Sequence, residues 1–247
     1  SKWDVSKAKD GNVTAWLFDD EEKSGNECHL YIGGNGGIAA SNGNYLFAYY
    51  ENCTAINGLS LMDTNEVTDM GYMFAYCTKL LKLDLNHFNT SNVTYMGYMF
   101  RDCNSLTELY ISNFNTINVE YMFGMFANCF ELKAVDVSNF NTSKITDMSD
   151  MFAACWSLED LDVSSFDTSN VDDMYGMFFA CYKLTNLDLS NFDTSSVTRQ
   201  YIMFYGSVDK SVLLGEKFDR LNDTMIFSTG DYEKTAIIPQ RNTPMKL

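Results

Sequence analysis

Five cysteines, Cys77, Cys103, Cys129, Cys155 and Cys181, recur every 26 residues. Thiolates at a fixed spacing could hold a soft metal or pair as disulfides. Tetrahedral zinc sites use closely spaced C-x₂₋₄-C pairs, and here each unit contributes one cysteine. Side chains running parallel in neighbouring units also point the wrong way for a disulfide. Each cysteine shares its stripe with methionine and phenylalanine, so core packing is the stronger reading, the thiol serving as a small hydrophobe. Cys28 stands outside the ladder, and Cys53 belongs to a unit two residues shorter.

The other residues able to do chemistry are read in the same way. Met96 and Met99 could bind a soft metal, but they lie on the same apolar stripe. Asp84, Asp136, Asp162 and Asp188 form an acidic column, with Tyr110 at the equivalent place in another unit. Calcium needs six to eight oxygens in a cage, so a solvated face outweighs a cation site. Asn89, Asn115, Asn141, Asp167 and Asp193, each followed by Thr, have turn chemistry. The histidines, His29 and His87, have no motif partner, so no nucleophile–base set is supported. Gly33-Gly34-Asn35-Gly36-Gly37 lacks the G-K-[ST] ending of a phosphate loop. No cofactor, metal site or catalytic residue is expected, and the chain reads as a non-enzyme.

What must position these residues is a repeated unit. Met73, Met99, Met125, Met151, Met177 and Met203 keep the 26-residue interval, as do Phe74, Phe100, Phe126, Phe152, Phe178 and Phe204. Val93, Met96, Met99, Phe100 and Cys103 fall at helical spacing. Leu109 and Ile111 alternate with polar neighbours as in a strand. One short helix and one short strand per unit predicts an α/β repeat, a leucine-rich-repeat-type solenoid. Parallel strands would line one wall and short helices the other. A β-hairpin cap is expected over residues 1–43, with strands at Val13–Phe18 and Cys28–Ile32. The solenoid covers 44–207 and a C-terminal cap 208–247, with strand-like segments at 212–214 and 224–227.

The formal net charge of −16 opposes binding to nucleic acid, whose phosphates require Lys and Arg. No apolar run is long enough to cross a membrane.

The segments Leu187–Val197 and Val93–Leu106 resemble the BspA-like leucine-rich repeats of bacterial surface proteins. The resemblance covers about residues 44–205, and Trp3-Asp4-Val5-Ser6 also looks like the segment preceding those repeats. It implies an extracellular or cell-surface bacterial protein, its secretion and anchoring segments lying elsewhere, and often an adhesive role. The variable positions suggest a surface for it. Phe130, Trp156 and Tyr182 stand where other units carry Thr78 and Asn104, while Tyr95 and Tyr121 share one column and Tyr72 and Tyr98 another. Exposed aromatics anchor interfaces and stack on sugars. The expectation is a binding or adhesion module recognising a host or matrix protein or a glycan through this aromatic-bearing solenoid surface. The alternative is a structural spacer.

Overall fold

The computed structural model describes residues 2–4, 13–19, 28–34, 38–39, 42–184, 187–207, 211–215, 217 and 245–246. The expected helices do not form. In the unit from Val93, the amides of Met99, Arg101 and Cys103 donate to carbonyls three residues back, at 3.1–3.3 Å. The alternate amides, of Met96, Tyr98, Phe100 and Asp102, leave the unit. They donate to the carbonyls of Tyr121, Phe123, Met125 and Ala127 at 2.8–2.9 Å. An α-helix needs its amides for its own i−4 carbonyls. Tyr98 and Asp102 also take φ of 57° and 59°, the left-handed region that breaks a right-handed helix. The same pair of positive-φ sites recurs at Tyr72 and Tyr76, at Gly124 and Asn128, at Asp150 and Ala154, and at Gly176 and Ala180. The stripe is thus a string of turns. It buries the side chains that helical spacing marks as inward, with another backbone path. Among the described residues the one helical element is a 3-10 turn, Leu59–Leu61.

Nor does a continuous strand wall form. Near the N-terminus β1 (Lys2–Asp4) pairs with β2 (Val13–Asp19), and β2 with β3 (Cys28–Gly34), both antiparallel. Strand β5 (Cys53–Asn57) joins β3 in parallel. Between them in sequence, β4 (Ile38–Ala39) pairs with β6 (Met62–Asp63). A two-stranded parallel sheet follows, β7 (Lys82–Asp84) on β8 (Glu108–Tyr110). At the next units, Ala134 and Asp160 make an isolated bridge. The last sheet holds β9 (Leu187–Leu189), β10 (Ser211–Leu214) and β11 (Met245–Lys246). The expected strand at 212–214 is therefore part of β10, whereas 224–227 lies outside the described residues. The molecule is a sparse β protein of small separate sheets, and the α/β leucine-rich-repeat solenoid is overturned.

Three ladders tie neighbouring units together through the core. The rings of Phe74, Phe100, Phe126, Phe152, Phe178 and Phe204 stack with centroids 5.3–5.8 Å apart. Each fully buried ring contributes about 1.5–3 kcal/mol. The cysteine thiols donate to the carbonyl of the preceding unit's phenylalanine, Cys103 to Phe74 and Cys129 to Phe100 at 3.2 Å. Thr90, Thr116, Thr142 and Thr168 are buried, and each hydroxyl is used twice. Thr116 donates to the Asn141 carbonyl at 2.9 Å and accepts the Asn141 amide at 2.7 Å. These threonines clasp one unit to the next.

Candidate notch between neighbouring strands

A surface notch lies where the short unit departs from the 26-residue register. Strands β7 and β8 pair along their length, Lys82 with Glu108 through Asp84 with Tyr110. Between β5 and β7 the Leu81 amide reaches the Thr54 carbonyl at 3.2 Å, and no bridge joins the two strands beyond it. The chain swings away at Gly58, whose φ is +87°, into the 3-10 turn. Gly58 is also pressed against β3: a Cβ there would sit 1.9 Å from the Ile32 carbonyl oxygen. Both constraints require glycine.

The result is an open notch of about 360 Å³, lined by Ala55, Ile56, Gly58, Leu59, Lys82, Asp84 and His87, among others. His87 closes one end. Its Nε2 lies 2.7 Å from the Leu59 carbonyl oxygen, and its ring meets Phe88 edge-on at 4.9 Å. Lys82 pairs with Glu108 at 2.9 Å, and its ammonium lies 5.0 Å from the Tyr110 ring centre. The hydrogen bond to Glu108 raises the Lys82 pKa, and the same bond lowers that of Glu108. The Asp84 carboxylate accepts the Asn86 amide at 3.1 Å. The notch therefore offers an apolar floor with a cation, a carboxylate and an imidazole at its rim. A small pocket of this kind orients a ligand by a few polar contacts.

The sequence-predicted aromatic residues fall into two groups. Phe130 stacks on Trp156 at 3.9 Å, and Trp156 meets Tyr182 at 6.2 Å. Tyr72 and Tyr98, 4.9 Å apart, join Tyr95 and Tyr121 through Phe123, which sits edge-on to both Tyr98 and Tyr95. Tyr45, Tyr49 and Tyr76 extend this group, although nothing in their columns singled them out. Burial, together with Tyr45, pushes the Tyr72 hydroxyl up to about 12. Neither group reaches the notch lining. Of the lining residues, Asp84 was read as part of a solvated column and His87 as a lone imidazole, while Ile56, Leu59 and Lys82 were missed because none carries a motif. The signal available was the 24-residue step from Cys53 to Cys77.

The residues read for other chemistry also find structural partners. Asp136, Asp162 and Asp188 accept the amides of Ser138, Ser164 and Ser190 at 2.8–3.1 Å, so the acidic column is a row of Asx turns. Cys53 and the five ladder cysteines are buried thiols. Burial pushes the Cys77 thiol up to about 12 and those of Cys103, Cys129 and Cys155 well above the ordinary range. Among the described residues no group of three or more His, Cys, Asp or Glu is placed to hold a metal ion.

Residues 44–134 and 129–213 each match the family described as "Mycoplasma protein of unknown function, DUF285". The chain belongs to this family. No curated protein and no solved structure matches it. The family match and the turn-built backbone replace the BspA-like leucine-rich-repeat resemblance. The adhesive function and its spacer alternative fall with that fold, because the solenoid wall meant to display the aromatic face does not exist. Among the described residues no helix is long and apolar enough to cross a membrane.

Proposed function

We propose that this member of the family is a non-catalytic binding protein whose ligand seats in the notch between β5 and β7. The carrying observation is the opening of the sheet there, which leaves Lys82, Asp84 and His87 around an apolar floor. The non-catalytic reading is supported by the histidines. His29 neighbours the Tyr31 hydroxyl at 3.4 Å, and His87 is engaged with Leu59. The partner is an exposed segment of an extracellular protein or a glycan, not nucleic acid, since the chain carries a net charge of −16. The place of action is outside the cell or at the bacterial surface. The buried, high-pKa thiols suit an oxidising exterior, because the thiolate is the reactive form.

The test is an array of extracellular proteins and glycans probed with the wild-type chain and with Ser60→Trp, since Ser60 is an exposed residue of the notch lining and a large ring there would fill the notch. The expected result is a ligand held by the wild type and lost by the variant, with both melting at similar temperatures. A ligand held equally by both would remove the notch from the reading. Digestion of intact cells with an impermeant protease tests location: a protected chain would contradict a surface position.

A further inference from the structure

Charge at the notch is out of balance. The head of Lys82 is drawn away from β5. Its ammonium bonds Glu108 at 2.9 Å and lies 5.0 Å from the Tyr110 ring centre, and both partners stand on β8. Glu108 therefore cancels that charge on the far side of β7. Asp84, two residues along the strand, projects from the same face as Lys82. One of its oxygens accepts the Asn86 amide at 3.1 Å, and among the described residues no ion pair engages it. His87 adds no cation in its neutral form. Its Nε2 lies 2.7 Å from the Leu59 carbonyl oxygen, so that nitrogen holds the proton and Nδ1 is an acceptor. What remains beside the apolar floor of Ala55, Ile56 and Leu59 is one uncompensated carboxylate.

We infer that the notch takes a lysine side chain from an exposed segment of the partner protein. This rests on the notch being the binding site and names what enters it. The bond from the Leu81 amide to the Thr54 carbonyl holds β5 and β7 together, so the opening of about 360 Å³ admits a side chain and not a strand. Long basic side chains bury their methylene stems on apolar surface and keep the charged end at its rim. The stem lies on Ala55, Ile56 and Leu59, and the ammonium meets Asp84. An arginine fork is served less well, because it bonds both oxygens of a carboxylate and one of these already holds Asn86. An acidic side chain would be repelled by Asp84 and would find Lys82 already paired. A neutral sugar makes no use of the unbalanced charge. The net charge of −16 favours the approach of a basic partner.

The experiment is NMR titration of this chain with Nα-acetyl-lysine methylamide, beside the norleucine, arginine and glutamate analogues and glucose. The expected result is saturable movement of the Ile56, Leu59 and Asp84 amides with the lysine probe, weaker with arginine and absent with glutamate. Asp84→Asn keeps an acceptor for the Asn86 amide but removes the charge. It should weaken lysine binding about fivefold, the upper end for an exposed ion pair. Lys82→Met removes a like charge and should tighten it. Lysine binding that is indifferent to Asp84→Asn, or weakened by Lys82→Met, would overturn the inference. So would a norleucine analogue that binds as tightly as lysine, or a lining moved by glutamate or glucose alone. If no probe moves the lining, the lysine is overturned, while an array ligand lost by Ser60→Trp would still uphold the notch. An array ligand held equally by Ser60→Trp would overturn the notch itself.

Discussion

The Ser207 hydroxyl donates to the Phe178 carbonyl at 2.7 Å, in the place where five successive units put a cysteine thiol. A buried serine is ordinarily costly because its hydroxyl loses water. Here each slot carries its own acceptor. Cys129→Ser is therefore expected to be no less stable than Cys129→Ala, with the loss held to about 1–2 kcal/mol. Urea unfolding of the two variants checks this. A serine variant several kcal/mol below the alanine one would show that the slot cannot serve a hydroxyl.

Thr116 tests the clasp between units. Thr116→Val keeps the shape but removes the acceptor for the Asn141 amide and the donor to its carbonyl. One buried group left unmatched costs about 1–3 kcal/mol. The valine variant should lose at least that much, while Thr116→Ser should lose less. A serine loss larger than the valine loss would place the effect in the methyl group.

Gly58→Ala should be disproportionately harmful for an alanine at a half-buried site. It combines a left-handed φ, costing roughly 1–2 kcal/mol, with a collision against the Ile32 carbonyl. The β3–β5 pairing should loosen before the later units do. Hydrogen exchange would detect this as faster exchange at Leu30 and Ile56 with unchanged rates at Leu109. Unchanged exchange throughout would contradict the close approach.

The Asp193 carboxylate is held at about 2 by hydrogen bonds from Lys217 and Ser195. A carboxyl depressed in the folded state stabilises the fold above its ordinary pKa near 4, and that contribution is lost as pH falls toward 2. Lys217→Ala should raise the Asp193 pKa and flatten this part of the acid limb. The effect is small, because Lys217 is 71% exposed. NMR titration of Asp193 measures it directly.

Asp150 has the opposite sign. Burial is the main cause raising its pKa, and Asp173 and Asp147 add to the shift while Arg101 opposes it. Its charged form therefore destabilises the fold at neutral pH, and the penalty disappears as pH falls below the ordinary carboxylate range. Asp150→Asn should melt higher than the wild type at pH 7 and level with it near pH 3. Asparagine also tolerates the φ of 53° at this position. A lower Tm at pH 7 would mean that Asp150 is held by a favourable charge contact.

The core was legible in the sequence at the level of which side chains are buried. Met96, Met99, Phe100 and Cys103 are fully enclosed, as their spacing required. The backbone carrying them was not legible. Spacings of three, four and seven describe the side on which residues fall, and turns with two left-handed residues per unit meet them as well as a helix does. Tyr98 and Asp102 gave no warning, since left-handed positions usually announce themselves with glycine or asparagine. The aromatic columns were visible, and their stacking follows from the 26-residue interval. The notch was hidden because it comes from a shortened unit and one glycine.

The direction of the bonds between the turns has one more consequence. From Tyr45 to Ala180 these amides donate forward, toward the unit that follows in sequence. The turn wall is therefore polar along its length, in the sense that a helix is polar, although the wall itself is not helical. Its early end presents carbonyls and its late end presents amides. A duplicated unit can be inserted only in the parental orientation, and whatever follows the last turn must bring acceptors to meet it.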